Sequence, residues 1–220
     1  PGAADLITVR GARLLAQAEV VLYDALVTPE MLALCAQAEL ISVGKRSGQR
    51  STAQDAINAL LVDCAFKYRM VVRLKGGDPM LFGRADEELR ALEAEGVEVE
   101  IVPGITTAVA AAAATRQPLT KRGVARSVAF FTSSTAPDEP EHPALPHTDT
   151  MVQYMGGREA AATAERLLAQ GRSRDTPVVV VENCSRADER IARLTLADLA
   201  RGLDAAQGPV LVMIGDALRL

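Results

Sequence analysis

The sequence contains no tryptophan, only three cysteines and two histidines in 220 residues, and its aromatic share is 3%. So few rings exclude the stacking platforms on which single-stranded nucleic acid is bound. Cys35, Cys64 and Cys184, with His142 and His147, are too few and too scattered for a zinc framework or a disulfide scaffold. Each cysteine reads instead as a small buried apolar residue. The longest aliphatic run, 108–114, falls far short of the roughly 20 residues that a membrane span needs. The amino terminus lacks the basic-then-apolar layout of a signal peptide. These absences exclude metal-first, nucleic-acid and membrane readings and predict a soluble, cytoplasmic chain. An apolar share of 49% excludes intrinsic disorder.

The net charge is −4, yet half of the 24 Lys and Arg residues fall in three short segments. Residues 40–54 carry Lys45, Arg46 and Arg50 with no acid, and residues 67–84 carry five bases against Asp78 alone. From 101 to 137 there is no acidic residue, while Arg116, Lys121, Arg122 and Arg126 are present. An acidic protein that gathers its positive charge in this way is expected to be assembling an anion site, because focusing in a cleft raises the local concentration of an acidic ligand. Solvated turns are the competing account of each segment.

Apolar runs of four to six residues alternate with helical patterns, which predicts an α/β protein with largely parallel sheet. Strands are expected at 19–23, 40–43, 70–74, 97–102, 127–131, 151–154, 178–181, 190–194 and 210–214. Helices are expected at 5–18, 28–35, 51–66, 86–95, 105–115, 159–170 and 196–201. Ser51 and Thr28 suit N-caps, and Pro29 follows Thr28 at the first helical position. A Pro-rich stretch at 136–146 should carry no strand. A connector at 117–123 divides the chain into two α/β domains, 1–120 and 121–220. The pattern opens on a helix, where such a domain ordinarily opens on a strand, and so predicts a strand of roughly eight to ten residues before Pro1.

No G-x-G-x-x-G follows a strand, and Gly44-Lys45-Arg46 lacks the Ser or Thr of a P-loop. The polar or glycine-rich turns lie instead at predicted strand ends, where open α/β sheets bind ligands. They run Asp24 to Val27, Gly44 to Gly48, Gly76 to Pro79, Pro103 to Thr107, Met155-Gly156 and Glu182 to Cys184. Gly76-Gly77-Asp78 lets a ligand approach the backbone, and the Asp78 carboxylate can offset a ligand cation. Thr106 and Thr107 open a helix, whose unpaired N–H groups and hydroxyls suit a carboxylate. Asp24, after EVVLY, suits either a proton acceptor or a capping carboxylate.

In this order and spacing the turns resemble the tetrapyrrole methylase family. The likeness covers essentially all 220 residues. VVRLKGGDPMLFGRADEE (71–88) and VEIVPGITTA (99–108) are its most specific strings. PLTKRGVARSVAFFT (118–132) and TPVVVVENCSRADERI (176–191) point within the family to the members that methylate carbons 2 and 7 of uroporphyrinogen III. The resemblance implies two α/β domains with a ligand cleft between them, a homodimer, S-adenosyl-L-methionine as cofactor and S-adenosyl-L-homocysteine as product. It implies precorrin-2 as the methylated product, on the route to sirohaem or cobalamin. It places Pro1, Gly76, Gly77, Asp78, Leu81, Thr106, Thr107, Met155 and Cys184 at the cofactor, with Met155 against the adenine and Cys184 where the family usually has glycine. It gives Asp24 the role of proton acceptor. Lys45 matches a proton donor, and it equally suits an anchor for substrate carboxylates beside Arg46 and Arg50. Lys121, Arg122 and Arg126 are the further candidates for those carboxylates. A later precorrin methyltransferase, an RNA or diphthamide-precursor methylase, and a non-catalytic binding module are the alternatives; the acidic charge and scarce aromatics weigh against RNA.

Overall fold

A computed structural model describes residues 1–44, 54–135 and 143–220. They form two compact units, Pro1–Thr106 and Thr107–Leu220.

The first unit contains α1 (Val9–Leu15), β1 (Val20–Tyr23), α2 (Pro29–Leu32), β2 (Glu39–Ser42), α3 (Gln54–Lys67), β3 (Val71–Leu74) and α4 (Ala85–Ala94). Its sheet is parallel in the order β2-β1-β3, with Val20 opposite both Glu39 and Val71. The alternation of β1 explains its central place, because side chains of a strand point to opposite faces in turn. Val20 and Leu22 pack with Ile57, Leu61 and Leu92 from α3 and α4, whereas Val21 packs with Leu15, Ala18 and Cys35 on the other face. Pro29 opens α2 as expected. Thr28 stands at its N-cap without a side-chain capping bond, and its hydroxyl donates to the Gly2 carbonyl at 3.0 Å. Ser51 lies outside the described residues.

The strand expected at 97–102 does not form. This VEVEIV run has strand alternation but pairs with no strand among the described residues, and it lines a cavity of about 440 Å³ together with Val71 to Lys75. Alternation alone does not make a strand when no neighbour meets its N–H and C=O groups.

The second unit contains α5 (Thr107–Thr115), β4 (Val128–Thr132), β5 (Thr150–Tyr154), α6 (Gly156–Ala169), β6 (Pro177–Glu182), β7 (Arg190–Thr195), α7 (Leu196–Leu199) and β8 (Val210–Ile214). Its sheet runs β4-β5-β8-β6-β7 and is mixed: only β4 and β5 are parallel. The expectation of largely parallel sheet therefore holds for the first unit and fails here. The link from β6 to β7 spans only 183–189, too short for the crossover of a dozen or more residues that parallel pairing requires. Both faces are covered, which accounts for the unbroken apolar run of β8. Val210, Val212 and Ile214 pack with α6 and α7, while Leu211 and Met213 pack with Ala108 and Ala111 of α5. That packing places the alanine-rich helix with the second unit, although the connector expected at 117–123 grouped it with the first.

Candidate active site

In the first unit the turns after β1 and β3 carry the candidate groups. Asp24 directly follows β1, is half-buried, and accepts the Leu26 N–H through Oδ1 at 2.9 Å. After β3, Gly77 takes φ +79°, a conformation that glycine adopts without strain. Asp78 ties this turn to the next: Oδ1 accepts the Met80 N–H and Oδ2 the Gly104 N–H, both at 2.9 Å. The two loops approach so closely that a Cβ on Gly104 would lie 3.0 Å from the Gly77 carbonyl carbon. Pro1 Cδ would stand 3.9 Å from a Cβ on Gly77, so Pro1 and the glycine turn are neighbours. Leu81, half-buried, donates its N–H to the Asp78 carbonyl at 3.3 Å. Asp78 thus has a structural task that its sequence context did not announce.

The five bases of 67–84 all have acidic partners. Lys67 meets Asp63 at 2.5 Å, Arg69 meets Glu19 at 3.4 Å and Arg84 meets Glu87 at 2.7 Å. Arg73 and Lys75 share Glu88, at 3.0 and 2.8 Å, and this trio is buried: the side chains are 14%, 8% and 6% exposed. The segment is therefore not a free anion site. Its partners sit on other elements or one helical turn away, where a count along the chain does not find them. Burial lowers the affinity of Lys75 for its proton, against the opposing pull of Glu88 and of the more distant Asp24. The neighbouring backbone is strained: Phe82 and Arg84 both take left-handed φ, at 52° and 53°.

In the second unit Thr107 begins α5, and the N–H of Ala108 is capped by the Tyr154 hydroxyl at 3.0 Å. Tyr154 was invisible as a capping residue because it lies far away in sequence, at the end of β5. Met155 follows in the left-handed region at φ 56°, opens α6 and is 52% exposed, as an apolar ligand contact would need. Cys184 is 5% exposed and packs with Val152, Val181 and Met213, so its side chain fills core. Burial first, then the charge of Glu189, raises its thiol pKa to about 11. Asn183 and Ser185 on either side take left-handed φ. Lys121, Arg122 and Arg126 are exposed, and among the described residues none makes an ion pair. Lys121 donates to the Arg219 carbonyl at 3.2 Å. Lys45, Arg46 and Arg50 lie outside the described residues.

Of the six described non-glycine residues with positive φ, Met155 and Asn183 lie in turns that the sequence singled out, Ser185 directly follows one, and Phe82 and Arg84 lie a few residues after the glycine turn. Such conformations cost energy and persist where the surroundings impose them, which happens most at functional sites. Residues 1–200 match the tetrapyrrole (corrin/porphyrin) methylases. The chain belongs to that family. This methylase is 45% identical to siroheme synthase 1 of Yersinia pseudotuberculosis, across all of the chain and 48% of that relative. It thus spans about half the length of the siroheme synthases it matches. It is 43% identical to the uroporphyrinogen-III C-methyltransferase of Pseudomonas aeruginosa, across all of the chain and 91% of that relative. The uroporphyrin-III C-methyltransferase of Thermus thermophilus, solved alone and with S-adenosyl homocysteine, superposes with TM-score 0.87 at 36% identity, covering all of this chain and 90% of that one.

Proposed function

We propose that the chain transfers methyl groups from S-adenosylmethionine to carbons 2 and 7 of uroporphyrinogen III, giving precorrin-2. One observation carries the reading: the 43% identity to a uroporphyrinogen-III C-methyltransferase spans this whole chain and nearly that whole relative. The residues fit the cofactor, because Gly76 is exposed and Gly77 bears no side chain, leaving main chain open to an amino-acid moiety. In the first unit Pro1, Gly76, Gly77, Asp78, Leu81 and Thr106 are the proposed cofactor contacts. In the second they are Thr107, Met155 and residue 184, the last through its backbone, since the Cys184 thiol is turned into core.

The cofactor supplies an electrophilic methyl group. Asp24 accepts the proton that the methylated pyrrole carbon must lose; among the described residues its Oδ2 accepts no hydrogen bond. Lys45, Arg46, Arg50, Lys121, Arg122 and Arg126 are the proposed partners of the substrate carboxylates, with Lys45 as the alternative proton donor. The siroheme synthases among the relatives support a sirohaem route for the product. The same reading carries a cytoplasmic homodimer, which sedimentation at micromolar concentration checks. Incubation with cofactor and uroporphyrinogen III followed by mass spectrometry tests the activity: two added methyl groups are expected. Cofactor binding without methyl transfer marks a binding module.

A further inference from the structure

Glu88 is the buried acid of the first unit. It lies in the first turn of α4 and faces two cations of β3 and the residue after it. Each cation also grips backbone. The Lys75 ammonium donates to the Gly83 carbonyl, between the two left-handed residues Phe82 and Arg84. Arg73 donates to the carbonyls of Leu74 at 3.0 Å and Leu22 at 3.4 Å, so its guanidinium joins β3 to β1. One carboxylate thereby organises the strand ahead of the glycine turn and the strained segment behind it.

We propose that Glu88 is a positioning residue for the cofactor loop 76–84: it holds the Lys75 ammonium on the Gly83 carbonyl and so keeps the loop in its binding shape before ligand arrives. The inference rests on the methyltransferase reading. Without the Glu88 charge, two buried cations face each other, which is the costly arrangement for an ion cluster that loses one partner. The charged groups acting on Lys75 are then Arg73 on β3, which drives its proton off, and Asp24 after β1, which holds it; Glu87 on α4 also interacts with it. Lys75 already holds its proton less firmly than an exposed lysine. With Glu88 neutral it gives up the proton at lower pH, the repulsion ends, and the neutral amine still donates to Gly83.

Calorimetric titration with S-adenosylhomocysteine from pH 6.5 to 9.5 tests this, together with thermal melting. Wild-type affinity should be nearly flat with pH. Glu88→Gln should bind about tenfold or more weakly at pH 7, the loss expected for a charge-assisted hydrogen bond, and should recover as pH rises. Lys75→Met leaves the Arg73–Glu88 pair balanced, so it should melt within a few degrees of wild type yet bind about tenfold more weakly at every pH. Wild-type affinity in Lys75→Met, or a Glu88→Gln defect that is the same at all pH values, overturns the proposal. Should Glu88→Gln not fold, Lys75→Met decides alone. No binding by the wild-type chain would remove the methyltransferase reading and the positioning role together, whereas binding by wild type that Lys75→Met retains removes only the positioning role.

Discussion

At the scale of the residue, Asp24 offers the sharpest separation of chemistry from structure. Its structural bond is the Leu26 N–H donated to Oδ1, and an asparagine oxygen can still accept that bond, without the charge. Asp24→Asn should therefore keep the turn and cofactor affinity while turnover falls by roughly two to four orders of magnitude, the range for removal of a general base. Single-turnover kinetics and calorimetry on the same preparation check this; lost affinity with intact chemistry would mark the carboxylate as structural. The cysteines illustrate the opposite case. Cys35, Cys64 and Cys184 are buried and unpaired, and burial raises each thiol above its ordinary value. Thiolate is the reactive form, so a thiol reagent at pH 8 should modify the native chain negligibly and all three sites after denaturation. For Cys184 the folded value near 11 exceeds the unfolded 9.0, so its contribution is full below pH 9 and lost between pH 9 and 11. Relative to Cys184→Ala, wild type should lose about 2 kcal/mol of unfolding free energy over that interval.

Elements were legible wherever their own residues decide them. EVVLY became a buried central strand because alternate residues face two different cores, and the alanine-rich run became a helix because alanine is the best helix former. What decides the rest lies elsewhere in the chain. The 97–102 run has the pattern of a strand and, among the described residues, no strand to pair with, and the antiparallel course of β8 follows from its place between β5 and β6, a matter of topology. The same distinction runs through the site. The glycine turns announced themselves, while Tyr154 capping Ala108 and Glu88 binding Lys75 join residues 46 and 13 positions apart with no local signature. A prediction belongs here too. The short α7 opens with a capping box in which the Thr195 hydroxyl accepts the Asp198 N–H at 3.2 Å while Asp198 accepts the Thr195 N–H at 3.1 Å. Thr195→Ala should cost about 1 kcal/mol of stability by denaturant titration at neutral pH. Its partner Asp198 is held below its usual pKa first by the Thr195 hydroxyl, which donates to its Oδ2 at 2.7 Å, and then by the Thr195 N–H. That contribution is present above the unfolded value of 3.8 and lost as pH falls through the folded one, so the deficit should shrink in acid.

At the scale of the whole molecule the open question is what an acidic chain does with its exposed cations. The structure divides the three basic segments. The bases of 67–84 are neutralised by Asp63, Glu19, Glu87 and Glu88, whereas Lys121, Arg122 and Arg126 are exposed with no acidic partner among the described residues. Free cations on a molecule of net charge −4 are costly to gather unless an anion is to meet them. The proposed substrate is a polycarboxylate, and the proposed cofactor carries charges of both signs. At 0.1 M salt the screening length is about 10 Å, so attraction between exposed groups weakens steeply as ionic strength rises. The KM for the tetrapyrrole should therefore rise between 0.05 and 0.5 M salt by a larger factor than the KM for the cofactor. Arg122→Gln with Arg126→Gln should raise the tetrapyrrole KM at low salt and flatten its salt dependence, leaving the cofactor KM in place. Equal salt dependence for both ligands, or an unaltered slope in the double variant, would return these residues to the role of solvated surface and leave substrate capture to Lys45, Arg46 and Arg50.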